Sequence, residues 1–376
     1  MKDSKPEKKI SSLRLVLTLI AFVLAAGIMV LAAVNIRHLT VDNMMKTLRS
    51  WLGMEQPTES FHYSGDEALA FADVGNGLLV VNQTGVTLFD EYGDKLAERA
   101  AVFEAPTAVS NGSIVGIYEI GGNTLLTIDD KGVDHVYEAE NKLISVSVNK
   151  GGWFVLCAEE ENYKGSVTVL NSQRKAVYKL YSGDGYLLNA VLNDDGTRLA
   201  AIKLTADGSR IVEYTLDSEE EKSSVTLTDT VALKCVYGAY GELSVLTDSG
   251  YVIIDADGVA KTIYEYGELS LGDFSLDGEG YSVIYCQSYS ETKKSCLITI
   301  DDFGSLIARL DIAKPVLDVS ANGQRIAVLY DDGLMVYDKA FGLQGGRYDT
   351  ETDAAGVIML PNGRSIVTGE YSAQVY

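Results

Sequence analysis

The sequence predicts an all-β protein, an eight-bladed β-propeller, behind one transmembrane α-helix and a short amphipathic helix. Three observations predict it. A unit of apolar strand, Gly-bearing turn and second apolar strand recurs eight times after Pro57. A unit of apolar strand, turn and polar strand recurs seven times between those copies. Ahead of both lies one long uncharged run, from Leu15 to Ile36.

Residues 1–14 form a basic tail with Lys2, Lys5, Lys8, Lys9 and Arg14. Residues 15–36 read LVLTLIAFVLAAGIMVLAAVNI, flanked by Arg14 and Arg37. About 20 apolar residues match a bilayer core of about 30 Å, where a helix satisfies its own backbone groups. The next twenty residues hold only Arg37, Lys46 and Arg49 as cations. This bias sets the N-terminus in the cytoplasm and everything after Ile36 outside. A cleaved signal peptide is the alternative. Its apolar region spans about 7–15 residues and ends in an A-x-A-like site, whereas this run is longer and ends Ala32-Ala33-Val34-Asn35.

Residues 37–57 form a juxtamembrane stretch. Within it Val41, Met44, Met45, Leu48, Trp51 and Leu52 recur at helical spacing, with Asp42, Asn43, Lys46 and Arg49 on the other face. The stripe suits either the bilayer surface or the underside of the following domain.

Residues 58–376 hold the repeats. The first unit reads FADVGNGLLVV from Phe71, AVSNGSIVGIY from Ala108, VSVNKGGWFVL from Val146 and VLNDDGTRLAAI from Val191. It continues as YGAYGELSVL from Tyr237, FSLDGEGYSVIY from Phe274, VSANGQRIAVLY from Val319 and MLPNGRSIVTG from Met359. The second unit is exemplified by VTLFDEYGDKLAE from Val86, YVIIDADGVAKTIYE from Tyr251 and LMVYDKAFGLQGGRY from Leu334. Alternating them gives four strands, a to d, at a period of about 40 residues, the signature of propeller blades. Eight copies of the first unit against seven of the second leave the last blade without strand d. Glu59-Ser60-Phe61-His62-Tyr63 has no other assignment, so it is expected to supply that strand and close the ring while hiding a sheet edge. A seven-bladed ring is the alternative.

The formal charge is −22, and the chain after Ile36 carries 26 basic against 51 acidic residues. Phosphate neutralisation needs clustered Lys and Arg, so no nucleic-acid partner is expected. There is no G-x-S-x-G elbow and no phosphate-binding G-x-x-x-x-G-K-[ST] loop. The three histidines, His38, His62 and His135, are scattered, and no catalytic residue, cofactor or metal site is assigned. Acidic turns such as Asp129-Asp130, Asp194-Asp195-Gly196, Asp255-Ala256-Asp257-Gly258 and Asp331-Asp332-Gly333 offer oxygen ligands. The twelfth position from Asp255, where a calcium loop places Glu, is Tyr266. Asp-Gly also serves tight turns for backbone reasons.

Cys286 and Cys296 flank one hairpin, YCQSYSETKKSC, and read as two buried hydrophobes or as a disulfide. Cys157 and Cys235 read as core. By fold analogy, binding is expected on the rim that gathers the b–c and d–a loops. The long b–c loops are read as 159–166, 204–210 and 287–295. Their candidate binding residues are Glu159, Glu160, Glu161, Tyr163, Tyr289, Lys293 and Lys294.

The layout of basic tail, single transmembrane helix, TVDNMMKTLRSWLG helix and repeat-built β domain resembles an uncharacterised family. Its members are membrane-anchored proteins of Gram-positive bacteria, catalogued as a domain of unknown function. The resemblance implies an extracytoplasmic propeller and brings no activity or functional residues. More distantly, YVIIDADG and VTLFDEYG resemble the repeats of quinoprotein and WD-like propellers, but the docking tryptophans of that repeat class are absent. The expectation is a single-pass cell-membrane protein whose propeller is a protein-interaction, scaffold or ligand-binding module, its partner a protein or cell-envelope component. The alternatives are a propeller enzyme (a lyase, glycosidase or quinone-dependent dehydrogenase) using the central channel, and a sensor ectodomain acting through a membrane partner.

Overall fold

In the computed structural model the described residues are 59–376, apart from 64–65, 291–293 and 351–352. The expected transmembrane segment at 15–36 and the amphipathic helix at 37–57 lie outside them. Among the described residues no helix is long and apolar enough to cross a membrane.

The described chain is all β and forms eight antiparallel sheets in sequence order. The first seven blades span 68–100, 106–138, 143–182, 186–228, 232–265, 270–312 and 316–338. The eighth combines Gly356–Met359, Ser365–Thr368 and Ser372–Val375 with Glu59–His62 from the other end of the chain. The expected clasp is therefore present: Phe61 pairs with Ala373 and His62 with Ser372, and the Tyr63 hydroxyl donates to the Ser372 carbonyl at 2.7 Å.

Strand character follows from position. In blade 1 strand b (Gly77–Asn82) and strand c (Gly85–Phe89) are buried along their whole length, because both faces pack on neighbouring blades. Strand d (Lys95–Ala100) is polar and exposed, because it is the outer edge. The buried apolar residues fall into eight clusters, and each draws its members from two adjacent blades. The eighth cluster joins Leu78, Val80 and Phe89 of blade 1 to Ile366, Ala373 and Val375 of blade 8. An open stack of eight blades would have only seven such interfaces.

Polar bonds link neighbouring blades at the innermost strands. The Ser110 hydroxyl donates to the Asp73 carbonyl at 2.7 Å, and the Ser147 hydroxyl to that of Ala190 at 2.6 Å. The Ser275 and Ser320 hydroxyls accept from the Ala321 and Met359 amides, each at 3.0 Å. Immediately after two of these strands, the Asn111 side-chain amide donates to the Asn149 carbonyl and the Asn149 side-chain amide to that of Asn193, each at 2.8 Å.

Two details depart from the sequence reading. The segment from Leu334 was expected to give strands c and d of blade 7. Only Gly333–Asp338 is a regular strand, and the outer position is held by single bridges from Leu334 to Tyr348 and from Tyr337 to Leu343. Glycines 342, 345 and 346 in this stretch supply no side chains to hold an edge strand. The loop expected over 204–210 shrinks to Ala206 and Asp207, because the flanking strands run on to Thr205 and start again at Gly208.

The clasp is the joint most open to test. The Phe61 ring lies 5.0 Å from that of Phe89. It also lies over Gly93, whose φ is +83° and where a Cβ would come within 2.6 Å of the ring. Phe61→Ala is expected to cost about 2–4 kcal/mol in urea unfolding. It should also strip hydrogen-exchange protection from the Ser372–Val375 amides before those of blades 3 to 5. Unchanged protection there would mean that the clasp does not hold the ring.

Candidate functional site

The b–c loops and d–a linkers share one rim, here the recognition rim; the a–b and c–d turns form the other. Glu59 opens strand d of blade 8, so the chain joins the ring at the a–b/c–d rim.

Three predicted residues come together on the recognition rim. Glu159, Glu160 and Glu161 line an open cleft of about 580 Å³ between blades 2 and 3, with Gly121, Asn123, Glu140, Asn141 and Lys142. The loop is ordered by its backbone: the Glu159 amide donates to the Lys142 carbonyl at 2.8 Å and the Lys164 amide to that of Ser182 at 2.7 Å. Asn162 takes the left-handed conformation, φ 67°, which an Asn side chain tolerates. The Asn141 amide donates to the Glu160 carboxylate at 3.1 Å.

Lys179, from outer strand Ala176–Ser182, sits between the Glu140 carboxylate at 2.8 Å and that of Glu160 at 3.5 Å. The Glu140 bond, with Tyr181 and Glu160 adding to it, raises the Lys179 pKa above the ordinary lysine value. The same bond holds the Glu140 carboxyl below the usual range. Lys179 also lies 5.1 Å over the Tyr181 ring, which stacks on Tyr163 at 4.8 Å. Lys164 caps the Tyr186 ring at 4.4 Å. Beneath Lys179 the cleft runs into a more enclosed cavity of about 270 Å³, lined by Leu143, Leu156, Ala158, Ser166, Thr168 and Ala139 among others. Small side chains at 139, 158, 166 and 168 leave this space in the blade 2–3 interface.

The remaining predicted rim residues stand apart from the cleft. Tyr289 and Lys294 are exposed on the blade 6 loop, and Lys293 lies outside the described residues. Glu140, Asn141, Lys142 and Lys179 were missed by the sequence reading; the polar linker Glu140-Asn141-Lys142 was their only sequence signal.

Cys286 and Cys296 are direct register partners across their hairpin, both buried and both free thiols here. Cys157 and Cys235 are buried. The acidic turns are engaged by their own backbone. Asp129 Oδ1 accepts from the Lys131 and Val133 amides, and Asp255 Oδ1 from those of Asp257 and Val259. Asp195 accepts from Thr197, and Asp332 pairs with Lys314 and Arg347. Among the described residues no group of three or more His, Cys, Asp or Glu side chains is placed to hold a metal ion.

A second polar feature lies along the innermost strands. In six blades these strands carry a bulge near their start, and the residue just after it is Ala70, Ser145, Asn189, Lys234, Asp273 or Asp318. Asp273 and Asp318 occupy this place in adjacent blades and bind each other. Asp273 accepts from the Phe274 and Val319 amides at 2.8 and 2.7 Å. Asp318 accepts from the Val319 and Val357 amides at 2.9 and 2.6 Å. Burial, and then the neighbouring Asp318 charge, push the Asp273 carboxyl up to about 7.

The chain belongs to a family of unknown function, DUF5711. That family matches residues 56–372. No curated protein matches the sequence. Among solved structures, the C-terminal WD40 domain of Sif2 aligns at TM-score 0.56 and 13% identity, over 83% of this chain and 99% of that one. Apo AztD from Citrobacter koseri aligns at TM-score 0.53 and 12% identity, over 82% and 92%. The dihydro-heme d1 dehydrogenase NirN in complex with DHE aligns at TM-score 0.54 and 16% identity, over 77% and 68%. At these identities the likeness is one of fold: this DUF5711 protein has a WD40-like propeller.

The acid pair gives a pH dependence with a definite sign. The folded protein keeps a proton on Asp273 that the unfolded chain releases near pH 4, so between about pH 4 and 7 folding takes up protons. The pair's contribution to stability is therefore greatest below that interval, falls as pH rises through it, and levels off above. Asp273→Asn supplies an N–H toward Asp318 without titrating. It is expected to remove on the order of 1–3 kcal/mol of this fall, read from urea midpoints across the pH range. An unchanged pH profile in the variant would refute the shared proton.

Proposed function

We propose that this DUF5711 protein is a single-pass membrane protein whose propeller stands outside the cell and acts as an interaction module, with the b–c/d–a rim as its recognition face. The observation that carries the reading is the composition of that rim. It combines the blade 2–3 cleft with exposed aromatic and aliphatic side chains, including Ile120, Tyr163, Tyr186, Tyr289 and Tyr371. Tyrosines offer large contact area with a polar tip and little ordering cost, which suits recognition. Strand d of blade 8 begins at Glu59 on the opposite rim. The charge bias about residues 15–36 supports the outward orientation. A scaffold role accords with the fold likeness to a WD40 domain, although the same architecture also serves a dehydrogenase, so fold alone does not choose.

Two measurements test the reading. Protease added to intact protoplasts should degrade the propeller; full protection until the membrane is permeabilised would place it inside and refute the orientation. A photo-crosslinking amino acid at Tyr289 or Tyr371 should give discrete adducts in living cells, while the same group at Phe303 or Tyr240 on the opposite rim should not. Adducts confined to the Phe303 and Tyr240 positions would overturn the choice of face.

A further inference from the structure

At the blade 2–3 interface a recess floored by Leu143, Leu156 and Ala158 and an open acidic cleft meet at Glu140 and Asn141. We infer that this recess and cleft together bind an extended cationic peptide segment of a partner protein, one apolar side chain entering the recess and an adjacent Lys or Arg meeting the glutamates. The inference deepens the recognition-rim reading and rests on it.

Three features select this occupant. The recess is bounded by Leu143, Leu156 and Ala158, which belong to the core cluster between blades 2 and 3. Its floor is thus aliphatic, which favours an apolar side chain over a ring of hydroxyls, and its volume of about 270 Å³ leaves ample room for one large side chain. Filling it removes apolar surface from water at about 25 cal/mol per Å². The cleft wall carries four carboxylates, Glu140, Glu159, Glu160 and Glu161, against Lys142 and the Lys179 ammonium at the junction. Lys179 is already shared by Glu140 and Glu160, so Glu159 and Glu161, both exposed, remain to meet a cation. Anionic envelope polymers meet the wrong sign of charge here, whereas a lysine or arginine meets the right one. Finally, Lys179 spans the two compartments and can swing from Glu140, whose side chain is 80% exposed, when a ligand cation takes its place.

The test uses the full-length chain in detergent micelles and fluorescent octapeptides in an anisotropy assay. One peptide carries a leucine beside two lysines, a second has glutamates for the lysines, and a third has glycine for the leucine. The first should bind best and weaken as salt is raised. Glu159→Lys with Glu161→Lys should weaken it about tenfold or more, and Thr168→Phe, which fills the recess, should abolish the advantage of leucine over glycine. Both sites tolerate change, the glutamates being exposed and Thr168 half-buried, and unchanged thermal melting certifies the fold. Equal binding of all three peptides, binding indifferent to both variants, tighter binding of a neutral N-acetylglucosamine oligomer, or no peptide binding at all would each overturn the inference. If crosslinks at Tyr289 or Tyr371 persist while the peptide result fails, the recognition rim stands and only this occupant is wrong.

Discussion

Everything in this fold follows from a blade that is apolar on both faces. Strands b and c of blade 1 have no solvated side, and the same holds for Phe154–Ala158 in blade 3 and, save for Gln287, for Tyr281–Gln287 in blade 6. A sheet with two sticky faces cannot stand alone, and a linear stack leaves two faces bare. Closure removes both at once, and the cluster joining Leu78 and Val80 to Ile366 and Val375 is the result. Because that cluster unites the two ends of the described chain, closure of the ring depends on a strand more than 300 residues from its partner. The cost is a contact between segments far apart in sequence, whose loop-closure entropy slows folding. The return is a sheet edge covered from the front of the chain.

The same two-faced burial explains what could be read from sequence. Continuous apolar runs in strands b and c, polar outer strands and Asp/Asn-Gly turns stood out, so the count of eight and the clasp at Phe61 were legible without coordinates. What blurred was the start of each inner strand. The repeats were read from Phe71, Val146, Phe274 and Val319, whereas the strands begin at Ala68, Leu143, Ser270 and Val316. In each the bulge lies in the unread portion. An extra residue shifts a period of two by one, so the alternation that marks a strand is broken there. The residues that follow the bulge, Asp273 and Asp318 among them, were lost with it.

The cleft was half legible for a related reason. Glu159, Glu160 and Glu161 announced themselves as a run in a loop between two apolar strands. Their counterparts, Asn141 from the d–a linker and Lys179 from an outer strand, lie 19 residues before and 19 residues after Glu160, and only the return of the chain through blade 3 brings them to its carboxylate. No local pattern encodes that meeting. The recess beneath is still less visible. It exists because Ala139, Ala158, Ser166 and Thr168 are small, and small residues in strands carry no signal of a void until the opposing blade is in place.

The two polar features also differ in what they can do. The Asp273–Asp318 pair is bound by backbone amides from its own and adjacent blades, so its carboxylates are spent on holding blades 6, 7 and 8 in register. Its titration is a property of the ring. The glutamates of the cleft have no such obligation: Glu159 and Glu161 are exposed, on a loop whose backbone is fixed independently by Lys142 and Ser182. Charge that is free of structural duty, above an aliphatic recess that the core does not fill, is the combination that a scaffold can spend on recognition without loosening the ring that presents it.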